Sequence, residues 1–203
     1  MSDNRICLEF TKTVGWEARD RPDDELLAFD NLVEWCVTHD LLDTLEAKEC
    51  LAVARRNPED AARVFRRALD LRSLVYRILS RVSGGGRPEA SELEALNGLL
   101  PDVLKRRCLE HGPDGVQWGW RWDPPDLGRV LAPIILSVAD LLASEELDRL
   151  RVCDGDGCGW LFIDQSRNRS RRWCDMGDCG NRAKAKRFRE RTRTDRPDPG
   201  ESA

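Results

Sequence analysis

The sequence contains no apolar run that approaches the roughly 20 residues a membrane-spanning helix needs. Its first ten residues, MSDNRICLEF, lack the basic segment followed by an apolar segment that marks an export signal. We therefore expect a cytoplasmic protein without a membrane partner. Disulfides are rare in that compartment, and clustered cysteines there are more often metal ligands or reactive groups.

The sequence also lacks a recognisable catalytic arrangement. It has two histidines, His39 and His111, and neither stands at a recognisable spacing from a nucleophile. No pair of carboxylates stands at a spacing typical of general acid and base catalysis. We therefore predict that the chain is not an enzyme, and we keep catalysis as the least favoured class of function.

The net charge of −4 conceals a division of the chain into an acidic and a basic part. Residues 1–150 hold 20 Lys and Arg against 28 Asp and Glu, whereas residues 151–193 hold 12 against 6. Blocks of opposite sign indicate units with different partners. We predict an acidic domain over residues 1–148 that folds alone, a basic module over 149–193, and a disordered polar tail over 194–203.

Amphipathic periodicity predicts helices for most of the acidic domain. Apolar residues follow one stripe within residues 23–42. Asp43 and Glu46 have the spacing of a capping box, as do Ser91 and Glu94, so each pair predicts the start of a further helix. The acidic domain is therefore expected to be mainly helical.

A change to alternating periodicity in residues 105–122 predicts a β-hairpin around the turn GPDG. Its three alternating tryptophans share one face and either pack on the helices or line an aromatic pocket for a ligand. Polar side chains of the run EFTKT, residues 9–13, are candidates to enter the same pocket. The candidate pocket residues are Glu9, Thr11, Trp118, Trp120 and Trp122.

Four of the eight cysteines form two pairs of equal spacing, Cys153-x4-Cys158 and Cys174-x4-Cys179, separated by 15 residues. Paired short spacings let two tight turns present four thiolates in a tetrahedron, the geometry that zinc prefers. We predict one zinc ion, and a structural one because four thiolates leave no position for water. The alternatives are an iron–sulfur cluster, a redox pair and a disulfide. The scattered cysteines, which we expect to be buried as small apolar groups, are Cys7, Cys36, Cys50 and Cys108.

The residues around the paired cysteines predict a compact zinc module. The segments GWLFID and RRWC are strand-like and are predicted to pair as a hairpin, and the stretch after Cys179 predicts a helix. A knuckle, a hairpin and a helix are typical of the treble-clef type. On the helix, Asn181, Ala185 and Phe188 share one face, which we predict to lie against the hairpin.

Eleven basic and three acidic residues fall within residues 166–193. Such a density of positive charge is unfavourable, because the charges repel one another, unless a polyanion offsets it. Arginine binds both phosphate and the edges of guanine. We predict nucleic acid as the partner, with DNA favoured over RNA. The alternatives are an RNA-binding protein and a module that docks an acidic protein or the acidic domain itself. The candidate nucleic-acid-binding residues are Arg167, Arg169, Arg171, Arg172, Arg182, Lys184, Lys186, Arg187, Arg189 and Arg193.

The stretch WLFIDQSRNRSRRWCDMGDCGNRAKAKRFRER resembles the CGNR zinc finger family, whose name is the tetrapeptide at residues 179–182. The segments CLEFTKTV and LLAFDNLVEW and the tryptophan hairpin are similar to ABATE, the domain that accompanies this finger. The resemblance implies an α+β fold, with a mainly helical N-terminal domain, a small antiparallel element and a treble-clef-like finger. It also implies a stress-responsive bacterial transcription regulator, whose N-terminal domain is the candidate sensor of a small molecule or protein. The implied zinc ligands are Cys153, Cys158, Cys174 and Cys179.

Overall fold

The computed structural model describes residues 5–15, 24–113, 115–122 and 126–194, with side chains to residue 191. All of the predicted tail after residue 194 lies outside these residues. The described chain is mostly helical, with two small antiparallel sheets of two strands each. The helices are α1 (Ile6–Thr11), α2 (Phe29–Thr38), α3 (Thr44–Arg56), α4 (Pro58–Ser83), α5 (Ala90–Leu104), α6 (Ala132–Leu142) and α7 (Asn181–Thr194). The strands are β1 (Arg107–Gly112), β2 (Gly115–Trp120), β3 (Leu150–Val152) and β4 (Leu161–Ile163).

The long helix α4 lies at the centre of the helical domain. Its apolar residues recur every three or four positions, so one stripe of the helix, including Val64, Ala68, Leu71 and Val75, is buried. Helices α1, α2 and α3 pack on α4. Helix α6 is apolar nearly all round, as expected for a helix with neighbours on most sides.

The predicted cap at Asp43 is confirmed, whereas the one at Ser91 is wrong. The Asp43 carboxylate accepts hydrogen bonds from the backbone N–H groups of Leu45 and Glu46, each at 2.8 Å. Helix α5 begins instead after Glu89, whose N–H donates to the Glu92 carboxylate at 3.0 Å. The buried Glu92 also pairs with Arg81 of α4, and this tertiary contact sets where the helix begins.

The tryptophan hairpin is confirmed, with β1 and β2 pairing in the register Leu109↔Trp118. The Arg107 guanidinium lies 5.1 Å from the Trp118 ring centroid and 4.6 Å from that of Trp120. Trp120 in turn stacks on Trp122, with ring centroids 5.4 Å apart. The alternation therefore places the tryptophans on one face, with arginine between two of them.

The predicted pairing of residues 159–164 with 171–174 is wrong. Strand β4 pairs with β3, in the register Leu150↔Ile163 and Val152↔Leu161. Leu150, Leu161 and Ile163 are at most 6% exposed and belong to the core of the helical domain. Burial of these apolar side chains against α4 favours this pairing, while residues 171–174 form no strand.

Two further hydrogen bonds join the basic module to the helical domain. The Tyr76 hydroxyl of α4 donates to the carbonyl of Gly159 at 3.0 Å. The Trp160 indole N–H donates to the carbonyl of Val14 at 3.3 Å. Together with the shared core, these contacts argue against the expectation that the acidic domain folds alone. The boundary between residues 148 and 149 stays a prediction.

Replacing Leu161 with alanine is expected to destabilise the whole chain, because the side chain is fully buried in the helical core. Such substitutions cost about 2–5 kcal/mol. Thermal unfolding of the zinc-loaded protein should show one transition at a lower temperature. Leu109→Ala is the matched control, because Leu109 is 63% exposed and should change stability by no more than about 0.5 kcal/mol. A separate unfolding step of the module, with the main transition unchanged, would contradict the shared core.

Candidate metal centre and basic surface

The four paired cysteines converge on one point. Their Sγ atoms all lie within 4.8 Å of one another. Cys153 and Cys158 bracket the turn between β3 and β4, Cys174 precedes a short π-helical turn, and Cys179 lies within that turn. Three of the thiols are buried and Cys174 is half-buried, and none forms a disulfide. The cluster can therefore hold one metal ion.

The knuckle is the turn between β3 and β4, residues 153–159. Its backbone lies close to the sulfurs. The N–H groups of Gly155 and Cys174 both donate to the Cys153 sulfur at 3.3 Å. A Cβ added at Gly155 would lie 2.9 Å from the Cys179 sulfur, so the chain approaches the cluster too closely for any side chain there. Gly157 and Gly159 adopt left-handed φ angles of 66° and 65°, which turn the chain back toward β4.

The electrostatics of the four thiols fit a divalent cation. A hydrogen bond from Cys174 lowers the pKa of Cys158 to about 5. The same contact, together with burial, raises the pKa of Cys174 above its usual range. Burial raises the pKa of Cys179 to about 11. The cluster therefore resists full deprotonation unless a cation balances the charge, and zinc bound by thiolates supplies that balance.

The tetrapeptide CGNR joins the cluster to α7. Cys179 supplies a sulfur, and the Gly180 N–H donates to the carbonyl of Asp175 at 2.9 Å. The Asn181 amide donates to the carbonyl of Gly177 at 2.8 Å, which closes the turn before the helix. The Arg182 guanidinium donates to the Cys179 sulfur at 3.0 Å. The tetrapeptide thus places the Cys179 sulfur, the turn closed by Asn181 and the Arg182 guanidinium at the start of one helix.

The contact between Arg182 and Cys179 was not anticipated from the sequence. Its signal is the spacing of three residues, which brings side chains onto the same side of a helical turn. Arg182 also forms an ion pair with Asp178 at 3.3 Å. A guanidinium beside a thiolate offsets part of the negative charge that four thiolates leave around one zinc ion. Arg182 is therefore positioned to stabilise the cluster.

The predicted inner face of α7 is wrong. Phe188 is 71% exposed, and Asn181 and Ala185 are also exposed. Ala183 is half-buried and faces the knuckle instead. The helix has charged side chains all round, so the turn at Cys179 sets its orientation in place of an apolar stripe.

Several predicted nucleic-acid-binding residues have partners inside the module. Arg172 pairs with Asp154 at 2.7 Å, and Lys186 pairs with Asp156 at 2.8 Å. Arg171 donates to the carbonyls of Trp173 and Cys174 and lies over the ring of Phe162. These side chains therefore make contacts within the module as well as contributing positive charge.

The other predicted basic residues face solvent on two surfaces. The buried carboxylate of Asp164 fixes the loop that displays Arg167 and Arg169. It accepts hydrogen bonds from the backbone N–H groups of Ser166 at 2.8 Å and Arg171 at 2.9 Å. Helix α7 displays the second set. Arg193 lies in this helix, and its side chain is outside the described residues. The exposed members of this set are Lys184, Arg187 and Arg189, and Arg191, which is not one of the predicted residues, is exposed on the same helix.

Three of the five candidate pocket residues of the helical domain line two separate sites. Glu9 lines a groove of about 320 Å³ beside Trp160 and Cys174, at the contact between the helical domain and the module. Trp120 and Trp122 line another cavity, of about 270 Å³.

The remaining two candidates lie in neither place. Thr11 is fully buried, and its hydroxyl donates to the carbonyl of Leu8 at 2.7 Å. Trp118 is 58% exposed at the outer part of the hairpin. The cavity of Trp120 and Trp122 is also lined by Glu46 and by Arg129, which form an ion pair. Arg106 and Arg129 lie over Trp122, so the tryptophans pack with arginines as well as facing the cavity.

The fold and the cysteine cluster define a mainly helical protein that ends in a four-cysteine zinc finger. Comparison with known families agrees with that class. Residues 4–145 match the ABATE family, described as a "putative stress-induced transcription regulator", and residues 149–192 match the CGNR zinc finger. The chain belongs to the ABATE family and contains a CGNR zinc finger. Neither description names an enzyme.

No curated protein matches the chain. Among the described residues, no helix is both long enough and apolar enough to cross a bilayer. The treble-clef arrangement of the finger stays a prediction.

Purified protein should contain one zinc ion per chain, and Cys174→Ser should abolish stoichiometric zinc because the tetrahedron loses a ligand. Cys108→Ser is the matched control, because Cys108 is a free cysteine outside the cluster. Elemental analysis of freshly prepared, reduced samples measures both. Stoichiometric zinc in Cys174→Ser, or iron in place of zinc in the unaltered protein, would contradict the assignment.

Arg182→Ala should weaken zinc retention about ten-fold, in the range of 10–100-fold typical for groups that support metal ligands. The reason is the lost hydrogen bond to the Cys179 sulfur. Competition with a chromogenic chelator measures the effect, and Arg182→Lys should restore part of it. Lys184→Ala removes an exposed charge from the same helix and should leave zinc retention unchanged. Equal zinc affinities in Arg182→Ala and the unaltered protein would show that the contact is incidental.

Proposed function

We propose that the chain is a zinc-dependent nucleic-acid-binding protein that acts in bacteria as a DNA-binding transcription regulator. Cys153, Cys158, Cys174 and Cys179 hold the zinc ion. The ion is structural, because four thiolates fill its tetrahedron and leave no position for a water that could react. The reduced thiols are suited to the cytoplasm, where such clusters persist.

The observation that carries this proposal is the display of exposed basic side chains on a helix that begins at the cysteine cluster. Lys184 and Arg191 form no ion pair with any described residue, and seven positions separate them, so they share one side of α7. Arg189 lies on the neighbouring stripe. Phosphates of a nucleic acid are the partners that such a surface fits.

DNA is favoured over RNA because the ABATE family is described as a transcription regulator. The alternatives are RNA and an acidic protein. Sequencing of nucleic acid crosslinked to the protein in cells distinguishes DNA from RNA, because promoter regions support regulation and transcripts support RNA binding. An acidic protein partner would leave no enriched nucleic acid.

The groove between the helical domain and the finger is our candidate for the input site. Glu9, Trp35 and His39 line one side, and Trp160 and Cys174 of the finger line the other. A small molecule or peptide bound there would contact both parts of the chain at once. Such a position would couple an input in the helical domain to the finger.

Binding to duplex DNA should be mainly electrostatic. If about four phosphates are contacted, the logarithm of the association constant should fall with the logarithm of the salt concentration, with a slope of about −3.6. Changing Lys184 and Arg191 together to glutamate should weaken binding and flatten the slope, since both charges face solvent. Fluorescence anisotropy of labelled DNA over a range of salt concentrations measures both quantities.

The matched control reverses two arginines on the helical domain, Arg66→Glu with Arg67→Glu. Both side chains are exposed on α4, and the change in net charge is the same. This control should leave the slope unchanged. Salt-insensitive binding, or an equal loss in both double variants, would contradict an interface on α7 and would favour the protein-interaction alternative.

A further inference from the structure

A groove of about 490 Å³ separates the knuckle from the inner side of α7. Trp173 forms part of one wall and also packs on the cysteine cluster, so its indole is held in place. Among the residues of α7 that line the groove, Ala183 offers only a methyl group. The groove therefore has a fixed aromatic wall and room beside it, within the size range of about 300–1,000 Å³ of known ligand sites.

The charges that line the groove favour an anionic ligand that carries a flat ring. Five basic and three acidic side chains line it. The guanidinium carbons of Arg172 and Arg187 each lie 5.7 Å from the Trp173 ring centroid. Indole and guanidinium planes are the groups on which bases stack in single-stranded nucleic acids, and guanidinium also binds phosphate.

The acidic residues of the knuckle add hydrogen-bond acceptors at the edge of the groove. Asp154 pairs with Arg172 and Asp156 pairs with Lys186, and all four side chains are largely exposed to solvent. Exposed ion pairs are weakly held, because solvent screens them. A base that presents an amino group, as cytosine does, can take the place of either cation at these carboxylates.

We propose that this groove holds one unstacked base of a single-stranded nucleic acid. The base takes the place of the Arg187 guanidinium over the Trp173 ring, and neighbouring phosphates bind Arg187 and Lys186. The assignment rests on the proposed function, because the same finger supplies the charge that holds the strand. A base inside a duplex has both faces covered by its neighbours, so it cannot present a face to a tryptophan that lies within a groove. The groove therefore selects single strands or unpaired bases.

Ala183→Leu tests the proposal, because it fills the groove without changing the charge of the helix. Ala185→Leu is the matched control, since Ala185 is exposed and receives the same side chain. The probes are fluorescent oligonucleotides of about 12 nucleotides, within the usual site size. Each is prepared as single-stranded DNA, single-stranded RNA and duplex DNA. Zinc content is measured first, and if Ala183→Leu holds less zinc, Ala183→Met with its flexible side chain replaces it.

Ala183→Leu should weaken single-strand binding at least about five-fold, which corresponds to about 1 kcal/mol, the lower end of the range for stacking of a base on an aromatic ring. Its duplex affinity and the affinities of Ala185→Leu should equal those of the unaltered protein. The single-stranded probe, DNA or RNA, whose affinity falls more in Ala183→Leu identifies the source of the base.

Unchanged single-strand affinity in Ala183→Leu would overturn the groove as a base site, even if duplex binding remained sensitive to charge on α7. An equal loss on single strands and duplex would also overturn it, because the effect would then be on the whole helix. No binding of the unaltered protein to any of the three probes would contradict the proposed function itself.

Discussion

The structure of the finger depends on four thiols placed within 4.8 Å of one another. Such a cluster is costly without a cation, because the sulfurs cannot all ionise together. A bound zinc ion offsets this repulsion, because its positive charge balances the thiolates. The N–H groups of Gly155 and Cys174 and the guanidinium of Arg182 donate further hydrogen bonds to the sulfurs. The helix α7 begins immediately after this cluster. Its direction, and thus the position of its basic side chains, follows from the metal site.

The two-stranded sheet β3–β4 connects this metal site to the rest of the chain. Leu161 and Ile163 enter the helical core, whereas Phe162 between them packs with the cysteines. Because successive side chains of a strand point to opposite faces, one short strand serves both cores. Trp160 and Tyr76 add hydrogen bonds across the same boundary. The helical domain and the finger are therefore joined through one packed strand and two hydrogen bonds.

The features that sequence predicted well are those with local signals. The spacing of the cysteine pairs predicted the cluster, the alternation of Trp118 with Trp120 predicted the hairpin, and Asp43 predicted a helix start. The pairing of β3 with β4 was missed, because three residues such as Leu150–Val152 are too few to show a period. The inner face of α7 was also missed, because charged residues surround that helix and leave no apolar stripe to indicate it. Contacts between distant residues, such as Trp160 with Val14, left no local signal.

In the proposed function, the zinc-held finger creates the nucleic-acid surface. The most direct test compares the affinity of the full chain for labelled DNA in its zinc-loaded state, after removal of zinc under reducing conditions, and after zinc is returned. Binding should be lost with the metal and recovered on reloading, because α7 loses its orientation when the cluster opens. Equal affinity with and without zinc would contradict this expectation.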